Sequence, residues 1–233
     1  MRLTIYIPTF QRGELVNCLE SILPQLNDQA RLIVSDNDPE QSARRYCQDA
    51  RILYSHNFLN VGADGNCLRS LNFTNDDYLW VFGDDDIMLP GAIEATLNMM
   101  NGQDRIIHIG ERHGEVTAGF NGTTADWMDA LEDKSMVVAS TLCSMNVWRR
   151  EALDAASGIR GLDTRNVMCW AGLDAMTVTV ADTPYVHVGR NHPYPFPDFI
   201  RSMDLYLVAM RSRHRNKTLF TMRDANRWNY ANA

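Results

Sequence analysis

The sequence predicts an α/β fold in one domain, with a mostly parallel central sheet and helices on both faces. Three observations support this prediction. Short apolar runs alternate with longer amphipathic segments through the first 110 residues. Several of these runs are continuously apolar, as expected of strands that are buried on both faces. The chain has 233 residues, of which 45% are hydrophobic and 22% charged, and this size and composition suit one globular domain.

The elements of the first half follow from the spacing of apolar residues, because strands and helices differ in their period. The predicted strands cover residues 3–7, 31–34, 52–54, 78–82 and 106–109. The predicted helices between them cover residues 12–26, 40–49, 63–73 and 90–100. The last helix begins at Pro90, and proline is well tolerated in a first turn.

After residue 110 the apolar pattern is less regular. Residues 116–124 are rich in Gly and Thr, and they predict a hairpin. The predicted helices of this half are 148–156, 165–176 and 197–211, and the predicted strands are 177–180 and 185–188, around a turn at 182–184. Residues 191–197 contain three prolines, which predicts a loop.

The charge is uneven along the chain. The net charge is −7, but residues 211–233 carry six basic residues and one acidic residue. The acidic body argues against a nucleic-acid partner, which would require a basic face. The basic tail is either a solvated helix end or a peripheral contact with an anionic membrane.

The apolar runs are too short to cross a bilayer, and Pro8 interrupts the start before a signal-peptide core. We therefore expect a cytoplasmic location, with any membrane contact at the inner face of the cell membrane. Five scattered cysteines without a CxxC spacing argue against a disulfide framework or a structural zinc site.

Three polar clusters directly follow predicted strands, where open parallel sheets bind their ligands. These clusters cover residues 8–12, 35–38 and 83–86. Asp36 in the second cluster is suited to accept a hydrogen bond from a base or a ribose hydroxyl, with Thr9 and Arg12 close by. The alternative role of Asp36 is an Asx-turn that opens the next segment.

The sharpest signal is the run of three aspartates, Asp84 to Asp86, after an apolar strand. Three adjacent carboxylates repel one another unless they are neutralised. In an extended segment Asp84 and Asp86 point the same way and Asp85 the other, so we expect Asp84 and Asp86 to share a divalent cation. The absence of a nearby cysteine favours Mg²⁺ or Mn²⁺, with phosphate oxygens completing the shell. The alternatives are a solvated acidic turn and a helix N-cap.

Four segments occur in an order that resembles a known family. IPTFQR, LIVSDND, NVGADGN and YLWVFGDDDIMLPGA together resemble the nucleotide-sugar-binding half of glycosyltransferase family 2, whose members have the Rossmann-like GT-A fold. The resemblance covers residues 1–100 and is more specific than any single motif. It implies inverting transfer of a sugar from a nucleotide diphospho-sugar to a glycan or lipid-linked saccharide. It also implies a nucleotide-sugar-binding half at 1–110, an acceptor-binding half at 111–197, and a C-terminal helix and tail at 198–233.

The resemblance also implies roles for single residues. Asp36 is expected to meet the base and Thr9 to line the nucleoside pocket, while the acidic run holds the ribose and the diphosphate-bound metal. The nucleotide-sugar-binding residues it implies are Pro8, Thr9, Arg12, Asp36, Asn66, Arg69, Asp84 and Asp85. The implied metal ligands are Asp86 and Asp84. Many members have an aspartate where this chain has Gly83, so which aspartate binds the metal stays open.

Inversion at the anomeric carbon requires a base that deprotonates the acceptor hydroxyl. In the family this base is an acid at the start of a helix before the last sheet strands, which implies Asp163. The familiar Glu-Asp pair is absent, since Leu162 precedes this aspartate. Asp174 is the competing candidate, and a helix cap is the alternative role of Asp163. Some enzymes of this fold take a further metal ligand from a late histidine, which implies His192.

Two other functions stay open. A sugar nucleotidyltransferase has a related fold but begins with a glycine-rich loop, which the segment IPTFQ does not provide. A nucleotide-sugar-binding protein without transferase activity is the second alternative, because the Glu-Asp pair is absent.

Overall fold

The computed structural model describes residues 1–73, 75–110, 118–124, 126–127, 143–153 and 177–189. The strands in this part of the chain are β1 Leu3–Thr9, β2 Ala30–Asp36, β3 Ile52–His56, β4 Tyr78–Val81, β5 Ile87–Met88, β6 Arg105–Gly110, β7 Asn121–Thr123, β8 Asn146–Arg149 and β9 Thr177–His187. The helices are α1 Leu15–Ile22, α2 Gly62–Leu68, α3 Ser70–Phe73 and α4 Ala92–Met99, with 3₁₀ turns at Leu23–Gln25, Ser42–Tyr46 and Cys143–Met145. None of the helices in these ranges has the length and apolar character of a membrane span.

The strands form one sheet in the spatial order β3-β2-β1-β4-β8-β6-β9-β5, with β7 beside β9. The first four strands in this order are all parallel. Beyond β4 the sheet is mixed, because β8 lies antiparallel between β4 and β6 while β6 and β9 are parallel. The predicted α/β class is confirmed. The part of the sheet formed by β3, β2, β1 and β4 is entirely parallel.

Alternate residues of the parallel strands enter two separate apolar cores. Ile5 and Ile7 of β1 pack in one core with Leu19 of α1. Tyr6, which lies between them, packs in the other core near Phe73 of α3. Successive side chains of a strand point to opposite faces, so a strand between two helical layers must be apolar throughout. This requirement explains the continuous apolar runs in the sequence.

The second half differs from the sequence prediction at two places. The helix predicted at 148–156 begins at residue 150, because Trp148 belongs to β8 and pairs with Leu79 of β4. The turn predicted at 182–184 is absent, since β9 continues through these residues. Pro184 falls where the register between β6 and β9 shifts, and such irregular positions accept a residue without an N–H.

The remaining predicted elements are confirmed only in part or lie outside the described residues. The helix predicted at 40–49 is a 3₁₀ turn at Ser42–Tyr46. Of the hairpin predicted at 116–124, the described residues provide β7, which pairs with β9. The helices predicted at 165–176 and 197–211 lie outside the described residues.

A buried histidine lies in the apolar core beside the sheet. The ring of His108 in β6 stacks on Trp80, with centroids 4.5 Å apart, and its Nε2 lies 2.8 Å from the hydroxyl of Thr96. Because that hydroxyl donates its hydrogen to the carbonyl of Ala92, we assign the proton of the ring to Nε2. The other nitrogen, Nδ1, is buried and has no partner in the described part of the chain. Burial lowers the pKa of His108 to about 3, because protonation would place a charged N–H among apolar groups.

We predict that protonation of His108 lowers the stability of the protein in acid. The pKa of about 3 lies below the ordinary value of 6.5, so between these pH values the unfolded chain binds the proton that the folded chain excludes. The stability that His108 contributes above pH 6.5 is therefore lost as the pH falls, with a limiting slope of about 1.4 kcal/mol per pH unit. His108→Phe keeps an aromatic ring against Trp80 but cannot be protonated.

Urea unfolding at several pH values down to about pH 5 measures this effect. The free energy of unfolding should decline less steeply in the variant than in the unchanged protein. An equal decline in both proteins would contradict the assignment.

Candidate functional site

The carboxyl ends of β1, β2 and β4 meet at one edge of the sheet. Hydrogen bonds between these strands reach their ends, since the N–H of Asn37 donates to the carbonyl of Thr9 at 2.8 Å and the N–H of Phe82 donates to that of Tyr6 at 2.9 Å. The three polar clusters predicted from the sequence therefore lie side by side at this edge, where parallel sheets bind ligands.

The acidic run forms a turn. The N–H of Asp86 donates to the carbonyl of Gly83 at 3.3 Å, which is the hydrogen bond of a β-turn. The expectation that Asp84 and Asp86 point the same way in an extended segment is therefore wrong, because the turn directs the two carboxylates to different partners. We call residues 83–86 the acidic turn.

Asp84 and Asp85 both approach Arg12, which follows β1. The hydroxyl of Thr9 donates to Oδ2 of Asp84 at 2.7 Å. Nε of Arg12 lies 3.9 Å from Oδ1 of Asp84, and Nη1 lies 3.6 Å from Oδ2 of Asp85. Burial raises the pKa of Asp84 to about 6, although the hydrogen bond from Thr9 and the charge of Arg12 act in the opposite direction. Burial therefore disfavours the ionised form of Asp84, and a bound cation would restore it.

The chemistry of this pair fits a hard divalent cation. Oδ2 of Asp85 is buried and, although Nη1 of Arg12 lies 3.6 Å away, it accepts no hydrogen bond from the described residues, which is uncommon for a buried polar atom. Carboxylate oxygens are the ligands that Mg²⁺ and Mn²⁺ prefer. The described residues contain no cluster of three His, Cys, Asp or Glu side chains that could hold a metal. The expected ligand His192 lies outside them.

Asp86 is bound by elements from the second half of the chain. The hydroxyl of Ser144 accepts the N–H of Gly83 at 2.7 Å and donates to Oδ2 of Asp86 in a short hydrogen bond. The N–H of Gly189, just after β9, donates to Oδ1 of Asp86 at 2.7 Å. Both oxygens of Asp86 are therefore engaged within the protein.

Two glycines allow this close packing. A Cβ at position 83 would lie 2.6 Å from Oδ2 of Asp86, and a Cβ at position 189 would lie 2.4 Å from the carbonyl oxygen of Asp85. The glycine at position 83, where the sequence resemblance leads one to expect an aspartate, is thus explained by the carboxylate that folds back over it.

Asp36 occupies the position that the sequence predicted, but its carboxylate is fully buried. Oδ1 accepts the N–H of Asp38 at 3.0 Å, which makes an Asx-turn, and Oδ2 accepts the N–H of Ala43 at 2.8 Å and the hydroxyl of Tyr54 at 2.9 Å. The structure therefore shows the local role that the sequence left as an alternative. Contact of Asp36 with a base stays a prediction.

The side chains of Asn66 and Arg69 contact other residues of the protein. The amide of Asn66 accepts the hydroxyl of Ser35 at 2.6 Å and donates to the Ser35 carbonyl at 2.9 Å, so it joins α2 to the end of β2. This placement differs from the expectation that Asn66 faces the nucleotide. The guanidinium of Arg69 lies 5.3 Å from the ring centre of Phe73, and its contact with a nucleotide stays a prediction.

The loop after β1 contains a strained residue. Gln11 has a φ of +53°, which residues other than glycine seldom adopt and which often marks a functional site. The loop of β1 is joined to the loop of β2 by the hydrogen bond that the N–H of Asn37 donates to the carbonyl of Thr9 at 2.8 Å.

Sequence reasoning did not find Ser144 or Gly189. The only available signal was for Gly189, a glycine directly after a predicted strand. Ser144 precedes β8, a short strand that the apolar pattern does not predict, so no spacing of residues points to it. The candidate bases Asp163 and Asp174 lie outside the described residues.

We predict that Gly189→Ala destabilises the protein and disturbs the acidic turn. The new Cβ would meet the backbone of Asp85, which cannot move aside as a flexible side chain does, and overpacking of this kind typically costs about 1–3 kcal/mol. Gly13→Ala is the matched control, because a Cβ at Gly13 meets no atom within 4 Å. Urea unfolding of both variants measures the difference, and equal stabilities would refute the close contact.

The sequence and the fold match proteins of known function. Abequosyltransferase RfbV of Salmonella typhimurium is 29% identical to this chain over a segment that covers 44% of the chain and 34% of that protein. The chain thus matches about a third of the length of this curated relative.

Two solved structures resemble the chain more extensively. S. aureus TarS 1–349 in complex with UDP-GlcNAc has a TM-score of 0.68 at 15% identity, covering 91% of this chain and 67% of that one. Glucosyl-3-phosphoglycerate synthase from Mycobacterium tuberculosis, in complex with Mn²⁺, UDP and glucosyl-3-phosphoglycerate, has a TM-score of 0.58 at 17% identity, covering 91% and 79%. At these identities the likeness shows the fold alone, and it is the GT-A fold that the sequence led us to expect.

The model of glycosyl transferase family 2 matches residues 4–155. This match covers more than half of the chain and contains all three polar clusters at the sheet edge. The chain therefore belongs to glycosyl transferase family 2.

Proposed function

We propose that the protein transfers a sugar from a nucleotide diphospho-sugar to a hydroxyl of a glycan or lipid-linked saccharide, with inversion at the anomeric carbon. The observation that carries the proposal is the acidic turn, which places Asp84 and Asp85 against Arg12 at the edge of the sheet. Membership of family 2 supports glycosyl transfer over the nucleotidyl transfer that the sequence left open. The UDP-GlcNAc bound to TarS and the UDP bound to the mycobacterial synthase support a nucleotide-sugar donor.

Asp84 and Asp85 are the residues that would hold Mn²⁺ or Mg²⁺. Oδ2 of Asp85 has no hydrogen-bond partner among the described residues, whereas both oxygens of Asp86 are engaged. We therefore assign Asp85 in place of Asp86 as the partner of Asp84. When bound, the cation supplies positive charge that stabilises the departing diphosphate. Mn²⁺ in the mycobacterial synthase supports this assignment.

Arg12 and Thr9 orient the donor from the loop of β1. The guanidinium of Arg12 is close enough to Asp84 and Asp85 to offset their charge, and arginine suits phosphate oxygens because its N–H groups form a fixed fork. Thr9 fixes one oxygen of Asp84. Each of these contacts leaves the acidic turn less free to rearrange when the donor binds.

Asp36 contributes to the nucleoside pocket through the loop that it closes. Oδ1 accepts one hydrogen bond, so it retains acceptor capacity, but a base reaches it only if the loop between β2 and residue 43 moves. We propose this contact together with that movement.

The acceptor side of the reaction rests on residues outside the described ranges. Asp163 is the proposed base and Asp174 its competitor. The basic tail, residues 211–233, and the cytoplasmic location also stay predictions, and so does contact of this tail with an anionic membrane.

We predict that the activity depends on a divalent cation held by Asp85. EDTA should abolish transfer, and Mn²⁺ or Mg²⁺ should restore it. Asp85→Asn keeps the size of the side chain but removes the charge that binds the cation, so it should weaken Mn²⁺-dependent binding of a nucleoside diphosphate. Transfer and donor hydrolysis over a panel of UDP-, GDP-, CDP- and dTDP-sugars measure the activity, and calorimetry measures the binding.

Asp28→Asn is the matched control, because Asp28 is an exposed residue just before β2, at the opposite end of the sheet. Full activity in EDTA would reject the metal. Nucleotide binding without any turnover across the panel would favour the binding protein without transferase activity. The configuration of the product, determined by NMR, tests inversion.

We predict that Asp163→Asn separates donor binding from transfer. A base acts only when the acceptor hydroxyl attacks, so donor affinity should stay almost unchanged, while turnover should fall by about 10²–10⁴. Asp174→Asn is compared under the same conditions. Loss of a helix cap at Asp163 would instead lower the melting temperature and leave turnover largely intact, and a dead Asp174→Asn enzyme would identify Asp174 as the base.

A further inference from the structure

The acidic turn is held in place by a serine that lies 58 residues after Asp86 in the sequence. Ser144 lies in the 3₁₀ turn Cys143–Met145, just before β8, and is fully buried. Its hydroxyl uses its hydrogen to bond Asp86 and a lone pair to accept the N–H of Gly83. One hydroxyl therefore joins the first and the last residue of the turn.

The position of this hydroxyl is fixed by the core of the sheet. The carbonyl of Ser144 accepts the indole N–H of Trp80 in β4 at 2.8 Å, and Trp80 is itself fully buried. Trp80 also stacks on His108. The backbone of Ser144 is thus anchored to β4, the strand that precedes the acidic turn, and this fixes the position of its side chain.

We propose that Ser144 is a positioning residue for the metal and the donor diphosphate. It holds Asp86 away from its two neighbours, and it thereby keeps Asp84 and Asp85 turned toward Arg12. This inference rests on the proposed function, since it takes Asp84 and Asp85 as the metal-binding pair.

The argument is electrostatic. Three consecutive carboxylates repel one another, and Arg12 lies within ion-pair distance of two of them. The third, Asp86, is held by hydrogen bonds from Ser144 and Gly189. Without the hydroxyl of Ser144, the N–H of Gly83 loses this acceptor and Asp86 loses one of its hydrogen bonds. The turn is then free to relax the repulsion by rotating, and the spacing of Asp84 and Asp85 changes.

Hydrogen bonds that orient the ligands of a metal commonly account for about 10–100-fold in metal affinity. Ser144→Ala should therefore weaken Mn²⁺ binding in the presence of UDP by about this factor. Ser144→Thr retains the hydroxyl and should restore much of the affinity. Ser144→Cys keeps the volume with a weaker donor and acceptor, and it should give an intermediate shift even if the alanine variant does not fold.

Ser21→Ala is a matched control. The hydroxyl of Ser21 also joins two backbone groups, since it donates to the carbonyl of Cys18 at 2.7 Å and accepts the N–H of Met88 at 3.0 Å. It thus provides the same type of hydrogen bonds two residues beyond Asp86, but without a carboxylate partner. Its loss should lower the melting temperature and leave Mn²⁺ affinity unchanged.

The experiment titrates Mn²⁺ into the full chain with UDP and follows free Mn²⁺ by electron paramagnetic resonance, beside thermal melting of every variant. A weaker Mn²⁺ affinity in Ser144→Ala than in Ser21→Ala, restored by threonine, supports the inference. Equal Mn²⁺ affinity of Ser144→Ala and the unchanged protein would overturn it. Absence of Mn²⁺ binding in the unchanged protein with every one of UDP, GDP, CDP and dTDP would instead overturn the proposed function itself, and binding with only one of the other three would make that nucleotide the probe for the variants.

Discussion

Repulsion among three neighbouring carboxylates at the end of a buried strand is the constraint on which the site depends. The chain resolves it by dividing the three charges between two environments. Asp84 and Asp85 lie near Arg12, while Asp86 is held by a hydroxyl and a backbone N–H. Burial raises the pKa of Asp84, so a cation at this point would favour the ionised carboxylate that burial disfavours.

The two halves of the chain contribute differently to this arrangement. The parallel strands β1, β2 and β4 supply the edge on which the polar loops lie. The mixed strands supply the restraints, through Ser144 before β8 and Gly189 after β9. The acidic turn is therefore physically connected to the second half of the chain, since a shift in β8 or β9 moves one of its direct partners.

Strands β1, β2 and β4 could be predicted from the sequence because they are buried on both faces, which leaves a continuous apolar run such as that ending at Phe82. The polar clusters could be placed for the same reason, since they directly follow these runs. The shape of the acidic turn could not be predicted, because Asp86 is redirected by Ser144, 58 residues later. Trp148 was assigned to a helix because its local spacing suits one, whereas pairing with β4 decides its conformation.

The antiparallel strand β8 has a consequence for how the protein can be divided. It fills the position between β4 and β6, so a fragment that stops at residue 110 would leave both strands with an open edge. Exposed strand edges invite pairing with other chains. Residues 1–110 are thus a poor unit for transplantation into a chimeric enzyme. During synthesis, β4 must likewise wait for residues 146–149 to leave the ribosome before the backbone groups of its open edge are paired.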